Sequence, residues 1–302
     1  MWGIIPAAGA GSRIQPLAFS KELLPVGSRL DGAMERPRAV SEYLVERMLR
    51  GGVKKICFVI SHGKSDILEY YGGKIGPADI AYVVQPRPAG LCDAIFRAVP
   101  LIASDETVAI GLPDTIWFPQ DGLCSLPDDA LSFLLFPVKH PQFFDAVVMD
   151  EKGRVTEIQV KNPHARSCWI WGAFKMPGHV LHELFQLWQT REPRDEYIGT
   201  LVNAYLAGGG RAVGVRAGEA YVDVGTLNGY REAIRLLSSP TADAATRSHS
   251  RKGGKGAQRP GRIRGKPVLL QHRAHDDSNF SCGSHKRGAE AKIWSSPFIK
   301  EP

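Results

Sequence analysis

The stretch Gly3-Ile-Ile-Pro-Ala-Ala-Gly-Ala-Gly-Ser-Arg13, continuing to Lys21-Glu-Leu-Leu-Pro25, decides how the rest of the chain is read. A short apolar run, predicted as a strand over 3–8, gives way to a loop of small residues: Ala8, Gly9, Ala10, Gly11 and Ser12. Two cations, Arg13 and Lys21, follow. An apolar run of this length without alternation fits a strand buried on both faces. Glycines let the backbone turn tightly and bring N–H groups close to an anion, which the cations neutralise. The stretch therefore predicts a phosphate cradle at the end of a buried strand. Two common phosphate loops are excluded. Ile14 stands where a dinucleotide loop has its third glycine, and G-x-x-x-x-G-K-[ST] is missing. On glycine spacing alone, a tight turn with solvated charges reads equally well.

Outward from this stretch, short β-rich runs alternate with amphipathic ones as far as residue 238. Strands are predicted over 3–8, 55–61, 80–85, 107–112, 131–138, 146–149, 155–160, 168–174 and 211–215. Helices are predicted over 38–50, 65–71, 90–99, 178–189, 195–207 and 226–237. In the first of these helices Val40, Tyr43, Leu44, Met48 and Leu49 follow helical spacing, and Gly51-Gly52 ends the run. The alternation predicts an α/β layer architecture with a largely parallel sheet. Glu151-Lys152-Gly153, between two strand-like runs, reads as a hairpin turn, so the later part of the sheet is expected to be mixed.

The 302 residues are 43% hydrophobic and 23% charged, ordinary globular proportions with ample material for a core. Five scattered cysteines (Cys57, Cys92, Cys124, Cys168, Cys282) form no C-x-x-C pair. That pattern argues against structural zinc or a secreted disulfide framework and fits a reducing cytoplasm. No apolar run reaches the roughly 18–20 residues of a membrane span, and Met1-Trp2-Gly3 does not resemble a signal peptide. The net charge of +7 belongs to one end. Residues 241–302 carry 13 Lys and Arg against 5 Asp and Glu, whereas residues 1–240 carry 25 against 26. After Ser238-Ser239-Pro240 the composition turns rich in Ser, Gly, Arg, Lys and His, so 241–302 is expected to be a disordered basic tail. Its few aromatics, Phe280, Trp294 and Phe298, are poorly interleaved with the basic run. Specific nucleic-acid binding is not expected; salt-sensitive, nonspecific association is the most the tail suggests.

The opening stretch resembles the N-terminal signature of the sugar-1-phosphate nucleotidylyltransferases, G-x-G-[ST]-R-x-x-P with a downstream K-x-L-L-P. Both the glucose-1-phosphate thymidylyltransferases and the bacterial UTP–glucose-1-phosphate uridylyltransferases carry it. Further matches follow in order. Gln85-Pro-Arg-Pro-Ala-Gly90-Leu-Cys-Asp-Ala94 resembles the family's base-binding segment, and Gly111-Leu-Pro-Asp114 its first metal site. Val160-Lys161-Asn-Pro163 stands where the family has E-K-P, and Tyr221-Val-Asp223-Val-Gly225-Thr226 resembles its second metal site. The matches cover about residues 3–238.

The resemblance implies a Rossmann-like GT-A type α/β/α sandwich with a mixed, mostly parallel central sheet, and a nucleotidyltransferase domain over 1–240. It implies transfer of a nucleoside monophosphate from dTTP or UTP to a sugar-1-phosphate, with release of pyrophosphate. The catalytic set would be Arg13, Lys21, Asp114 and Asp223, with Mg²⁺ on the two carboxylates. Ala8, Gly9, Ala10, Gly11, Ser12, Gln85 and Gly90 would hold the nucleotide. Gln85 offers a donor and an acceptor to the imide edge of uracil or thymine. Lys161, Asp145 and Val160 would face the acceptor. Each residue also has a plain structural reading: Asp114 a turn residue, Asp223 a salt bridge or helix cap, Gln85 a loop amide, Lys161 a solvated strand end. Isolated His62, His140 and His164 read as surface or packing residues, and Cys92 as core.

This chain departs from the family at two positions. Where the family has glutamate before the E-K-P lysine, Val160 stands, and where it has a glycine before the strand at 146–149, Asp145 stands. Valine cannot accept a hydrogen bond from a sugar hydroxyl; Asp145 either supplies that carboxylate or is a turn residue. Plain glucose-1-phosphate is therefore expected to be a poor acceptor. Other readings stay open: a cytidylyl- or uridylyltransferase acting on a non-sugar phosphate, or a nucleotide-sugar binding protein without turnover. Assembly into a homo-oligomer is open too, although the tail lacks the helical periodicity of the family's oligomer-building C-terminal helices.

Overall fold

The computed structural model describes residues 1–238. The predicted basic tail, 241–302, lies outside the described residues. In chain order the elements are β1 (Trp2–Pro6), β2 (Pro25–Asp31), β3 (Met34–Ala39), α1 (Val40–Arg50), β4 (Lys55–Ile60), α2 (Ser65–Tyr71), β5 (Lys74–Ile75) and β6 (Ala78–Val84). They continue with α3 (Gly90–Phe96), β7 (Thr107–Gly111), β8 (Thr115–Phe118), β9 (Leu131–Pro137), β10 (Asp145–Met149), β11 (Val155–Val160) and β12 (Trp169–Pro177). The last are α4 (Gly178–Thr190), α5 (Ile198–Ala207), β13 (Ala212–Val215), β14 (Ala220–Asp223) and α6 (Leu227–Leu237).

One large sheet runs in the order β11-β10-β12-β7-β1-β4-β6-β5, with β9 joined to β12 and β13. Its heart is parallel: β1 pairs with β4 and β7, and β4 pairs with β6. Beyond β7 the neighbours in that order are antiparallel, starting with β12, while β13 joins β9 in parallel. The hairpin predicted at 151–153 is there, joining β10 to β11, with Gly153 at φ 78°.

The strands of the parallel heart carry apolar residues on both faces, which is why their sequences show no alternation. Ile4, Cys57, Val59, Val108 and Ile110 face α3, α4 and α5 through Ile95, Leu181, Leu184 and Leu201. Ile5, Ile56, Phe58 and Ala109 face the opposite side, where α1 and α2 bring Leu44, Met48, Ile67 and Tyr71. Helices on both faces make the three-layer α/β/α sandwich. A third cluster joins Leu24, Val26, Tyr43, Ile116, Val222, Val224 and Ala233, so α6 packs over the β2–β3 hairpin and the two-stranded β8–β14 ribbon. Among the described residues no helix is long and apolar enough to cross a membrane.

Because β1, β4, β6 and β7 run in parallel, their C-terminal ends share one edge of the sheet. Residues 7–13, Gln85 and the 112–114 segment all leave the sheet there. This is where an open α/β sheet presents ligands.

Candidate active site

The loop after β1 is pinned at its start by the Ala7 N–H donating to the Val59 carbonyl (2.7 Å), then opens to solvent. Ala8 is buried, whereas Gly9, Ala10 and Ser12 are exposed. A side chain on Gly9 would meet no protein atom within 4 Å, so the loop's face is clear. Gly11 has φ 67°, and a Cβ there would come within 2.7 Å of the Lys21 side chain. The glycine is what lets Lys21 cross under the loop. Its Nζ reaches the Asp114 carboxylate at 2.6 Å.

Asp114 and Asp223 are far apart in sequence and are brought together by the β8–β14 ribbon. Thr115 lies opposite Asp223 in its register, and the Val224 N–H donates to the Asp114 carbonyl at 2.8 Å. Arg13, largely exposed, reaches Asp223 at 3.2 Å. At Gly225 three of these groups converge. The place its Cβ would occupy lies 2.8 Å from Asp223 Oδ1, 3.0 Å from Asp114 Oδ2 and 3.1 Å from Arg13 Nη2. Gly225 was not singled out by the sequence as a site residue; only its place after Asp223 in the motif marks it. The helix-cap reading of Asp223 is displaced, because Thr226 caps α6 by accepting from the Gly229 N–H at 3.1 Å.

The electrostatics follow from this geometry. Burial pushes the Asp114 carboxyl up, but the Lys21 ammonium outweighs it and holds Asp114 below the ordinary carboxylate range. Burial, then the Asp114 charge, push Asp223 above that range, with Arg13 opposing. Lys21 and Arg13 each meet one of the two carboxylates. The oxygen-only pair suits a hard divalent ion such as Mg²⁺, which accepts a few carboxylates and takes its other oxygens from phosphates and water. Among the described residues no three His, Cys, Asp or Glu side chains converge as a metal cage.

Gln85 follows β6 directly and is buried. Its amide N–H groups donate to the Asp93 carboxylate at 2.8 Å and the Gly90 carbonyl at 3.2 Å. The donor expected to face a base is thus engaged within the chain, and Oε1 remains as an acceptor. Gly90 has φ 84°, and a Cβ there would lie 2.7 Å from the backbone of Glu196, whose carbonyl accepts from the Leu91 and Cys92 N–H groups. The close approach at Gly90 is made by the chain itself. Cys92 is fully buried in the core, as expected.

The β10–β11 register sets Asp145 directly across from Val160, with both beside Gly199 of α5. Asp145 is half-buried and accepts from the Trp171 indole N–H at 3.3 Å; burial pushes its carboxyl up to about 6. Lys161 is the one non-glycine residue with positive φ (44°) among those described. Its ammonium lies 4.3 Å over the Tyr197 ring and 3.2 Å from the hydroxyl, at an exposed position. Backbone held in this region costs on the order of 1 kcal/mol for a residue other than glycine.

Residues 2–239 match the nucleotidyl transferase family. The chain belongs to that family. It is 28% identical over 250 residues to a glucose-1-phosphate thymidylyltransferase of Neisseria meningitidis serogroup A, covering 79% of this chain and 83% of that one. It is 27% identical over 245 residues to the enzyme of the same name from Mycolicibacterium smegmatis, covering 77% and 81%. The fold is similar to that of the UTP-bound UGPase from Acinetobacter baumannii, with a TM-score of 0.65 at 19% identity over 79% of this chain and 94% of that one. In this chain Arg13, Lys21, Asp114 and Asp223 stand on four separate segments, with the β8–β14 ribbon bringing the two carboxylates together.

Proposed function

We propose that the chain transfers a nucleoside monophosphate from dTTP or UTP to a sugar-1-phosphate, releasing pyrophosphate and forming a nucleotide sugar. The observation that carries this reading is the convergence at Gly225 of two carboxylates and a guanidinium, with Lys21 on Asp114.

An acceptor phosphate oxygen attacks the α-phosphorus; one P–O bond forms and the bond to pyrophosphate breaks. No protein nucleophile or general base is needed, because the acceptor is already an anion. Positioning and charge neutralisation do the catalysis. Ala8, Gly9, Ala10, Gly11 and Ser12 offer backbone to the triphosphate, and Arg13 neutralises it and the departing pyrophosphate. Lys21 braces the reacting phosphates. Asp114 and Asp223 would hold Mg²⁺, which when bound supplies positive charge to the phosphate oxygens. Lys161, steadied by Tyr197, takes the acceptor phosphate.

On the base side, Gln85 Oε1 accepts from the imide N–H of uracil or thymine beside the Gly90 turn. Cytosine has no hydrogen on that ring nitrogen, so an acceptor-only Gln85 disfavours it. On the acceptor side, Asp145 takes the place across the strand from Val160 and accepts from a sugar hydroxyl, which makes plain glucose-1-phosphate a poor match. The 1–240 segment is the working domain. Initial rates of pyrophosphate release with dTTP, UTP, CTP, ATP and GTP, each with glucose-, galactose-, mannose- and N-acetylhexosamine-1-phosphates, test the reading. Preference for dTTP or UTP with a sugar other than glucose is expected. Preference for a purine triphosphate rejects the base contacts, and a wide margin for glucose-1-phosphate rejects the role of Asp145.

A further inference from the structure

Lys21 lies in a single helical turn, and the residues on either side of it are gripped by the start of α2. The Asp66 carboxylate accepts from both the Ser20 N–H and the Ser20 hydroxyl, each at 2.6 Å. Lys64 Nζ donates to both oxygens of Glu22 at 2.7 Å. This second pair is deep: the Glu22 side chain is 1% exposed and that of Lys64 9%. None of these residues has a place in the site described above. A buried ion pair is seldom better for stability than a well-packed apolar one, so its presence asks for another reason.

The reason lies in the neighbouring charges. Two ammonium groups, Lys21 and Lys64, share a region with two buried carboxylates, Glu22 and Asp114, and each ammonium feels both carboxylates. Only one pairing places Lys21 on Asp114. With Lys64 removed, Glu22 is an unpaired buried charge, and its sequence neighbour Lys21 is the cation available to it. We propose that Lys64, together with Asp66, is a positioning device for the transfer reaction: by saturating Glu22 it leaves Lys21 to Asp114 and the reacting phosphates. The proposal rests on the nucleotidyl-transfer reading and adds to it residues that touch no substrate.

The test compares Lys64→Met, the double variant Glu22→Gln with Lys64→Met, and Asp66→Ala, each assayed well below its own melting temperature. Lys64→Met is expected to lower kcat roughly 10- to 100-fold while the triphosphate KM moves less than about threefold, the pattern of an interaction lost only in the transition state. The double variant removes the competing carboxylate and should bring kcat back to within about fivefold of wild type. Asp66→Ala opens only the half-exposed side of the grip and should lower kcat by roughly three- to tenfold. If Lys64→Met yields no folded protein, the other two variants decide. The proposal is overturned by a folded Lys64→Met with wild-type kcat, by a double variant no better than Lys64→Met, or by an Asp66→Ala that turns over normally. A wild-type protein inactive with every triphosphate and acceptor instead rejects the parent reading, so the two failures are distinct.

Discussion

Asp114 and Asp223, the proposed metal-holding pair, differ in electrostatic condition. Lys21 holds Asp114 ionised, whereas burial and Asp114 itself make the charge on Asp223 costly. Asp114→Asn and Asp223→Asn should each lower kcat by about 10²–10³-fold, the usual cost of losing a major transition-state contact. Asp223→Asn should not lower the melting temperature, because it relieves a like-charge contact. Steady-state kinetics and thermal melts on the same preparations check both; full turnover by either variant at saturating Mg²⁺ refutes the assignment. Asp145 makes a parallel case. Its folded pKa, about 6, lies above the ordinary value of 3.8, so between roughly pH 4 and 6 the native state holds the extra proton. Its contribution to stability therefore falls as pH rises through that window. Asp145→Asn should unfold at higher denaturant than wild type at pH 7, with the gap closing below about pH 4. The same variant should lose roughly tenfold or more in kcat/KM for its best acceptor. A variant less stable than wild type at pH 7 would show that the carboxylate serves the fold.

At the scale of elements, two glycines separate fold from function. An alanine at Gly90 would be forced against the Glu196 backbone at positive φ, where nothing flexible can yield. Gly90→Ala should cost on the order of 1–3 kcal/mol of stability. An alanine at Gly225 would meet the tips of Asp114, Asp223 and Arg13, which can swing aside. Gly225→Ala should fold near normally yet lose most activity; denaturant melts and kinetics on both variants would expose a reversed pattern.

The elements also show what was legible beforehand. The sequence pattern places the helix at 65–71 at its observed bounds, and the buried strands follow from their apolar runs. The β2–β3 hairpin leaves no such pattern: β2 exposes six of its seven residues, and Pro25 and Pro37 interrupt any alternation. β8 and β14 were missed because each is four residues long and finds its partner about a hundred positions away. The placement of Asp145 across from Val160 depends on strand register, and the engagement of the Gln85 amide depends on Asp93. Neither is written in local sequence.

For the molecule as a whole, every motif of the site falls within the sandwich, and α6 closes the third cluster by Leu237. A fragment of residues 1–240 is therefore expected to be soluble, to melt as one cooperative unit and to keep wild-type kcat. Aggregation or loss of turnover would place residues beyond 240 in the working structure. The transfer reaction is tested most directly at the bond it forms. ³¹P NMR of the purified chain with Mg²⁺, UTP or dTTP, and a galactose-, mannose- or N-acetylhexosamine-1-phosphate should show the triphosphate and acceptor signals falling together. Pyrophosphate and the paired signals of a sugar nucleotide diphosphate should rise in equal amounts. Loss of triphosphate to free nucleotide and phosphate, with the acceptor signal unchanged, would contradict it.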